Sequence, residues 1–288
     1  DKADGLPDNE VNAIALAGDV VYAATQSGLA RYADQKWEPA GEVPSPVRQV
    51  AAHGKGVIAA GGNGLYEIVD GTVTRICDVP LPAVESEKPI SLAGGPTILL
   101  GTAEGLYELK DGRFEFNSEL AKQSDEALEV RQVAVGSDGQ AAAAARRGLY
   151  LRDKGGAWQR VLPRDGKRSW APYGVWGVAF DSKGRLWFAS AQGAGCLDGD
   201  QWTLYTGEDG LPFDEFTTAA AGEEGVIWFG TTMGAIRFDG EHWSYRQGLR
   251  WVPDDDIRGI AVNSNGDAWF ATPNGTGVIE RRPMTLAE

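Results

Sequence analysis

Histidine, cysteine and methionine are scarce, with two of each in 288 residues. His53 and His242 cannot supply the several imidazoles of a typical zinc centre, and Cys77 and Cys196 show no paired metal-ligand spacing. Two cysteines also exclude a disulfide framework. They fall in different repeats of the chain, so a bridge between them is not expected. No apolar run approaches the ~18 residues of a membrane-spanning helix, so direct membrane insertion is not expected. No basic and apolar leader opens the chain, so a signal peptide is expected to be absent or already removed. Positive charge is the scarcer sign: 27 Lys and Arg stand against 41 Asp and Glu, for a net charge of −14. Nucleic acids and anionic membranes need a broad basic face, so neither is expected as a partner. A single small anion held by a local basic cluster is not excluded. No metal or cofactor is expected.

What the chain has in quantity is glycine, 39 residues, and tryptophan, 10 residues. Many turns and many aromatics point to short strands. The hydrophobic fraction of 42% is ordinary for a folded protein. The length suits two average domains or one large all-β domain.

An internal repeat decides between these. Val11-Asn12-Ala13-Ile14-Ala15 returns as Val47-Arg48-Gln49-Val50-Ala51, Pro89-Ile90-Ser91-Leu92-Ala93 and Val130-Arg131-Gln132-Val133-Ala134. It returns again as Val175-Trp176-Gly177-Val178-Ala179, Phe216-Thr217-Thr218-Ala219-Ala220 and Ile257-Arg258-Gly259-Ile260-Ala261. The fifth residue is alanine in all seven copies, at spacings of 36, 42, 41, 45, 41 and 41 residues. Each phrase is followed by a turn, a short apolar run such as Ile227-Trp228-Phe229-Gly230-Thr231, a glycine-led third run such as Gly234-Ala235, and a fourth run often carrying a tryptophan.

Every run has strand length. Four strands per ~41 residues, seven times over, predict an all-β, seven-bladed β-propeller with four antiparallel strands per blade. The innermost strands are expected near 11–16, 47–52, 89–94, 130–135, 175–180, 216–221 and 257–262. Alanine suits the crowded axis, and aromatics fill the wider gaps between blades. A ring closes on itself, so 1–288 is expected to be one domain. The seventh repeat shows no convincing fourth strand. Thr285-Leu286-Ala287-Glu288 has the pattern of a helix-start capping box, so 283–288 is either the start of a following region or the last strand.

The repeat Gly-Leu-Pro-Asp-x-x-Val, a hairpin, Trp-Phe-Gly-Thr and Gly-Leu/Ala-x-Arg-Tyr/Phe resembles the two-component regulator propeller repeat. Segments 5–32, 173–198, 210–238 and 254–279 match it best. The resemblance implies an extracytoplasmic ligand-sensing propeller, periplasmic or extracellular, with its ligand on one face. The chain departs from the family in carrying seven repeats, where such sensors usually carry two propellers, and its 288 residues show no kinase pattern.

That face is expected where the inter-blade linkers and the second-to-third-strand loops meet. Linker 162–174 gathers Arg164, Lys167, Arg168, Trp170 and Tyr173 in an otherwise acidic chain. Arg146 and Arg147 lie in a neighbouring loop, and Arg250 and Trp251 in linker 248–256. The second position of the inner phrase adds Arg48, Arg131, Trp176 and Arg258 at the channel mouth. Guanidinium groups grip carboxylates bidentately, and aromatic faces stack on sugar rings. The competing reading is that Arg48, Arg131 and Arg258 pair with linker acids such as Asp214, Glu215 or Asp254–Asp256, and that the linker is merely solvated. The triple aspartate suits calcium in principle, but a charged linker explains it more simply.

Three functions follow. The first is a non-catalytic propeller binding a small anionic or carbohydrate ligand, or a protein domain, on the linker face. The second is a lyase or hydrolase on acidic polysaccharide. Tyr173 would be its base, because the two histidines fall in turns away from the mouth. The third is a structural module of a larger protein.

Overall fold

The structure is a computed structural model that describes residues 1–80, 90–153, 156–170 and 172–282. Its strands form seven antiparallel sheets, each connected in simple up-and-down order. Six have four strands; the seventh has three among the described residues. Inner strands of successive blades lie side by side, and that of blade 1 (Val11–Ala17) packs against those of blade 2 (Val47–His53) and blade 7 (Gly259–Val262). The result is a closed seven-bladed propeller. In blade 7 the inner strand begins at Gly259, two residues later than the phrase suggests, with the amide of Arg258 bonded to the carbonyl of Ala271. The Thr285–Glu288 pattern and the Pro89 end of the third phrase lie outside the described residues.

Each hairpin is set by local chemistry. At the end of the second strand, the hydroxyls of Thr25, Thr102, Ser190, Thr231 and Thr272 each donate to the carbonyl of the glycine three residues on. That glycine opens the third strand or, for Gly105, directly precedes it. At Gly234 φ is +114°, and an added Cβ would stand 2.2 Å from the carbonyl oxygen of Arg246. No L side chain fits there.

Aromatics from the second, third and fourth strands fill the gaps between blades. Trp37 meets Trp269 edge-on at 6.0 Å, Trp187 meets Phe238 at 5.8 Å and Trp228 meets Phe270 at 5.4 Å. Cys77 in blade 2 and Cys196 in blade 5 are buried free thiols, and burial pushes the Cys196 thiol up to about 12.

Near the axis, side chains of one inner strand bond the backbone of the next. Asn12 donates to Val47 O, Gln49 to Ile90 O and Thr217 to Ile257 O, while Ser91 accepts from Val133 N. Gln132 reaches furthest: its Oε1 accepts from the amides of Val178 and Ala219, and its Nε2 donates to Ala219 O. These bonds join blades 1 to 2, 2 to 3, 3 to 4, 4 to 5 and 6 to 7 near the axis, and Gln132 also joins blade 4 to blade 6. Gly177 lets blades 5 and 6 close up, because a Cβ there would lie 2.7 Å from the amide nitrogen of Ala219.

Candidate functional site

The second residue of the inner phrase is the extra residue of a β-bulge in five blades. The register slips across Asn12, Arg48, Arg131, Trp176 and Thr217. A bulge turns its side chain away from the regular alternation, here at the strand end nearest the linkers. The sequence pattern thus produces a ring of re-aimed side chains at one mouth of the axial channel. A channel cavity of about 380 Å³ includes Arg131, Gln132 and Arg258 in its wall, together with Ala15, Ala51, Ala220 and Ala261.

Arg131 is the central member. Its guanidinium lies 3.3 Å from the centroid of the Trp176 ring, a close cation–π stack across the front of blade 5. It forms no ion pair among the described residues, and its Nη1 is buried without a hydrogen-bond acceptor. Burial pulls its pKa below the ordinary guanidinium value; Glu129 and Tyr173 oppose that shift and Arg146 adds to it. Beside it, Arg146 pairs with Glu129 at 2.7 Å, and Glu129 and the nearby Tyr173 phenol raise its pKa. Arg147 pairs with Glu126, lies 5.8 Å from the Tyr173 ring and leaves its buried Nε without an acceptor. Three guanidinium groups thus surround one half-exposed phenol.

The other expected residues divide. Arg258 lines the channel but is held by Glu10 at 3.0 Å and Asp256 at 3.6 Å. Arg48 sits at the blade 2 bulge, and burial lowers its pKa. Arg164 is exposed and only its backbone is engaged, bridging Ser169. Arg168 ties its linker to the next one: it pairs with Asp209 at 2.8 Å and donates to Leu204 O at 2.7 Å. Trp170 points inward, 7% exposed and edge-on to Phe188. Burial therefore removes Trp170 from the ligand surface, and both residues act as linker anchors. Arg250 and Trp251 form a separate group, with the guanidinium groups of Arg246 and Arg250 at 4.7 and 5.3 Å from the Trp251 ring.

The aspartate run is turned into its own loop. Asp255 accepts from the amide of Gly248, and Asp254 from the amide of Asp256 and from Asn274 Nδ2. No group of three metal-ligating side chains stands ready among the described residues. His53 ends its strand at the far mouth, where its Nδ1 accepts from Gly95 N at 3.4 Å. His242 is exposed in the turn before the outer strand of blade 6. Neither approaches Arg131's mouth.

Sequence reasoning passed over Gln132, Glu129 and Glu126. Gln132 was readable in principle, because Val-Arg-Gln-Val occurs in two phrases; its partner 87 residues away was not.

No family model matches the chain, and no curated protein does either. The fold itself has many solved relatives. A streptogramin B lyase structure superposes with TM-score 0.70 at 16% identity, covering 95% of this chain and 94% of that one. The extracellular domain of a putative hybrid two-component system from B. thetaiotaomicron gives 0.71 at 13% identity, with 98% of this chain matched to 39% of that one. A YCF48 protein solved with a bound peptide gives 0.65 at 17% identity, covering 98% and 96%. This chain thus spans about two fifths of the sensor ectodomain that it matches. At such identities the likeness is one of fold. Among the described residues no helix is long and apolar enough to cross a membrane.

Proposed function

We propose that this propeller is a non-catalytic, extracytoplasmic binding module that takes a carboxylate ligand, such as an acidic sugar, at the linker-side mouth of its channel. One observation carries this reading: Arg131 is held on the Trp176 ring with a buried Nη1 that lacks an acceptor. A buried donor without a partner costs about 1–3 kcal/mol, and a carboxylate oxygen relieves that cost. Arg147 Nε offers a second such donor beside Tyr173. The extracytoplasmic setting is supported by the repeat pattern and by the sensor ectodomains among the fold relatives. Titration calorimetry with glucuronate and short uronate oligomers tests the reading. Binding that weakens at least tenfold in Arg131→Ala supports it; absence of binding, or equal binding by the variant, overturns it.

A lyase is the second reading, favoured by the half-exposed Tyr173 phenol among the arginines of the mouth and by lyases among the fold relatives. It requires Tyr173-dependent release of unsaturated product from an acidic polysaccharide, read by ultraviolet absorbance. Activity retained in Tyr173→Phe removes Tyr173 as the base.

A further inference from the structure

Blade 6 carries a second charged recess, remote from the channel. Trp228 stands opposite Arg237 across its second and third strands, and Arg246 stands opposite Ala235 across its third and outer strands. Directly opposed residues share a sheet face, and so do residues two apart along one strand. Trp228, Arg237, Ala235 and Arg246 therefore project from one face, the one that packs on blade 7 through Trp228 and Phe270. Blade 7 has three strands among the described residues. A cavity of about 320 Å³ lies between the two blades.

Its walls are unusual for a protein of net charge −14. Four guanidinium groups line it, against the carboxylates of Glu223 and Glu280. Arg237, Arg281 and Arg282 are paired with Asp239, Glu224 and Glu280. Arg246 is different. It forms no ion pair among the described residues; its Nη1 donates to Tyr245 O, its plane is held over Trp251, and its Nε is buried without an acceptor. Trp228 Nε1, on a residue 3% exposed, is also buried without an acceptor. The residues lining one cavity thus carry two buried N–H donors without an acceptor among the described residues.

Buried polar groups are almost always paired, and exceptions call for a partner. An indole N–H is a donor only and carries no charge, so it selects an oxygen acceptor; the Arg246 guanidinium in the wall of the same cavity selects a negative one. We infer that the recess between blades 6 and 7 is an anion site for a small organic polycarboxylate. One carboxylate meets Trp228 Nε1 and Arg246, and a further one meets the rim arginines Arg281 and Arg282. The site is independent of the Arg131 mouth and of the reading built on it.

Citrate serves as the probe, in the full chain, by titration calorimetry at low ionic strength. The titration is repeated in Arg131→Ala, so that uptake at the channel mouth is separated from uptake here. Citrate is expected to bind both proteins alike. Arg246→Gln is expected to weaken binding at least tenfold. Trp228→Phe keeps an aromatic ring against Phe270 but removes the indole donor, and is expected to weaken binding several-fold. Failure of citrate to bind at millimolar concentration, or binding that Arg131→Ala abolishes, overturns the inference. Wild-type citrate affinity in both Trp228→Phe and Arg246→Gln overturns it as well.

Discussion

The carboxamide of Gln132 meets the peptide group of Ala219 from both sides, accepting from its amide at 3.0 Å and donating to its carbonyl at 2.9 Å. Blades 4 and 6 are thereby joined directly, over the top of blade 5. Gln132 also accepts from Val178 N in blade 5. One side chain consequently fixes the relative positions of three inner strands beside Arg131. Gln132→Ala leaves two backbone amides without their acceptor. It is expected to lower unfolding free energy by about 1–3 kcal/mol, read as a shift in urea midpoint at unchanged slope. A shift below ~0.5 kcal/mol would show that channel water replaces the amide fully.

Arg131→Lys separates charge from geometry at the mouth. The ammonium keeps the positive charge but lacks the planar fork that stacks on Trp176. Glucuronate binding is expected to fall about tenfold, while the urea midpoint barely moves, because a half-buried unpaired cation contributes little net stability. Equal affinity in the lysine variant would reduce the site to a point charge.

Trp170 and Tyr173 are expected to part company, though they sit three residues apart. Trp170→Ala empties a buried site against Phe188 and is expected to cost about 3–5 kcal/mol of stability. Tyr173→Phe keeps a half-exposed ring and is expected to leave stability unchanged while altering ligand affinity. Comparable loss of stability in both variants would contradict the burial described for them.

Acid should unfold blade 5 through Asp181. Burial raises its carboxyl, but bonds from Trp187 Nε1 and from the Arg185 amide and guanidinium outweigh that and hold it below the ordinary value. The unfolded chain therefore binds this proton more readily than the folded one. The stabilisation is complete above the unfolded value of ~3.9 and fades as pH falls through the lower folded one. Asp181→Asn is expected to be less stable at pH 7 and to show a flatter loss of stability below pH 4, measured by thermal unfolding across pH. An identical slope in the variant would assign the acid transition to other carboxylates.

Blade count, strand order and the aromatic seams were legible because each is a local pattern repeated many times. Alanine at the fifth position and Thr-x-x-Gly at the hairpin recur for reasons that act within a few residues. The mouth was legible only as a set of residue types. Whether an arginine there is free or tied depends on partners far along the chain: Glu10 for Arg258 and Asp209 for Arg168. Trp170 shows the same limit. It follows Lys167, Arg168 and Ser169 in a charged linker, and only the packing of blade 5 reveals that it faces inward. The recess between blades 6 and 7 had no linear signature, since Trp228 and Arg246 are brought to one face by strand pairing.

Both native thiols lie inside the blades, and Cys196 stays protonated far beyond neutral pH. Thiolate is the reactive form, so maleimide reagents should pass the wild-type protein by. A cysteine placed at the exposed Arg164 would then carry a fluorophore as the sole label, giving an optical reporter beside the mouth with no need to strip the native pair first.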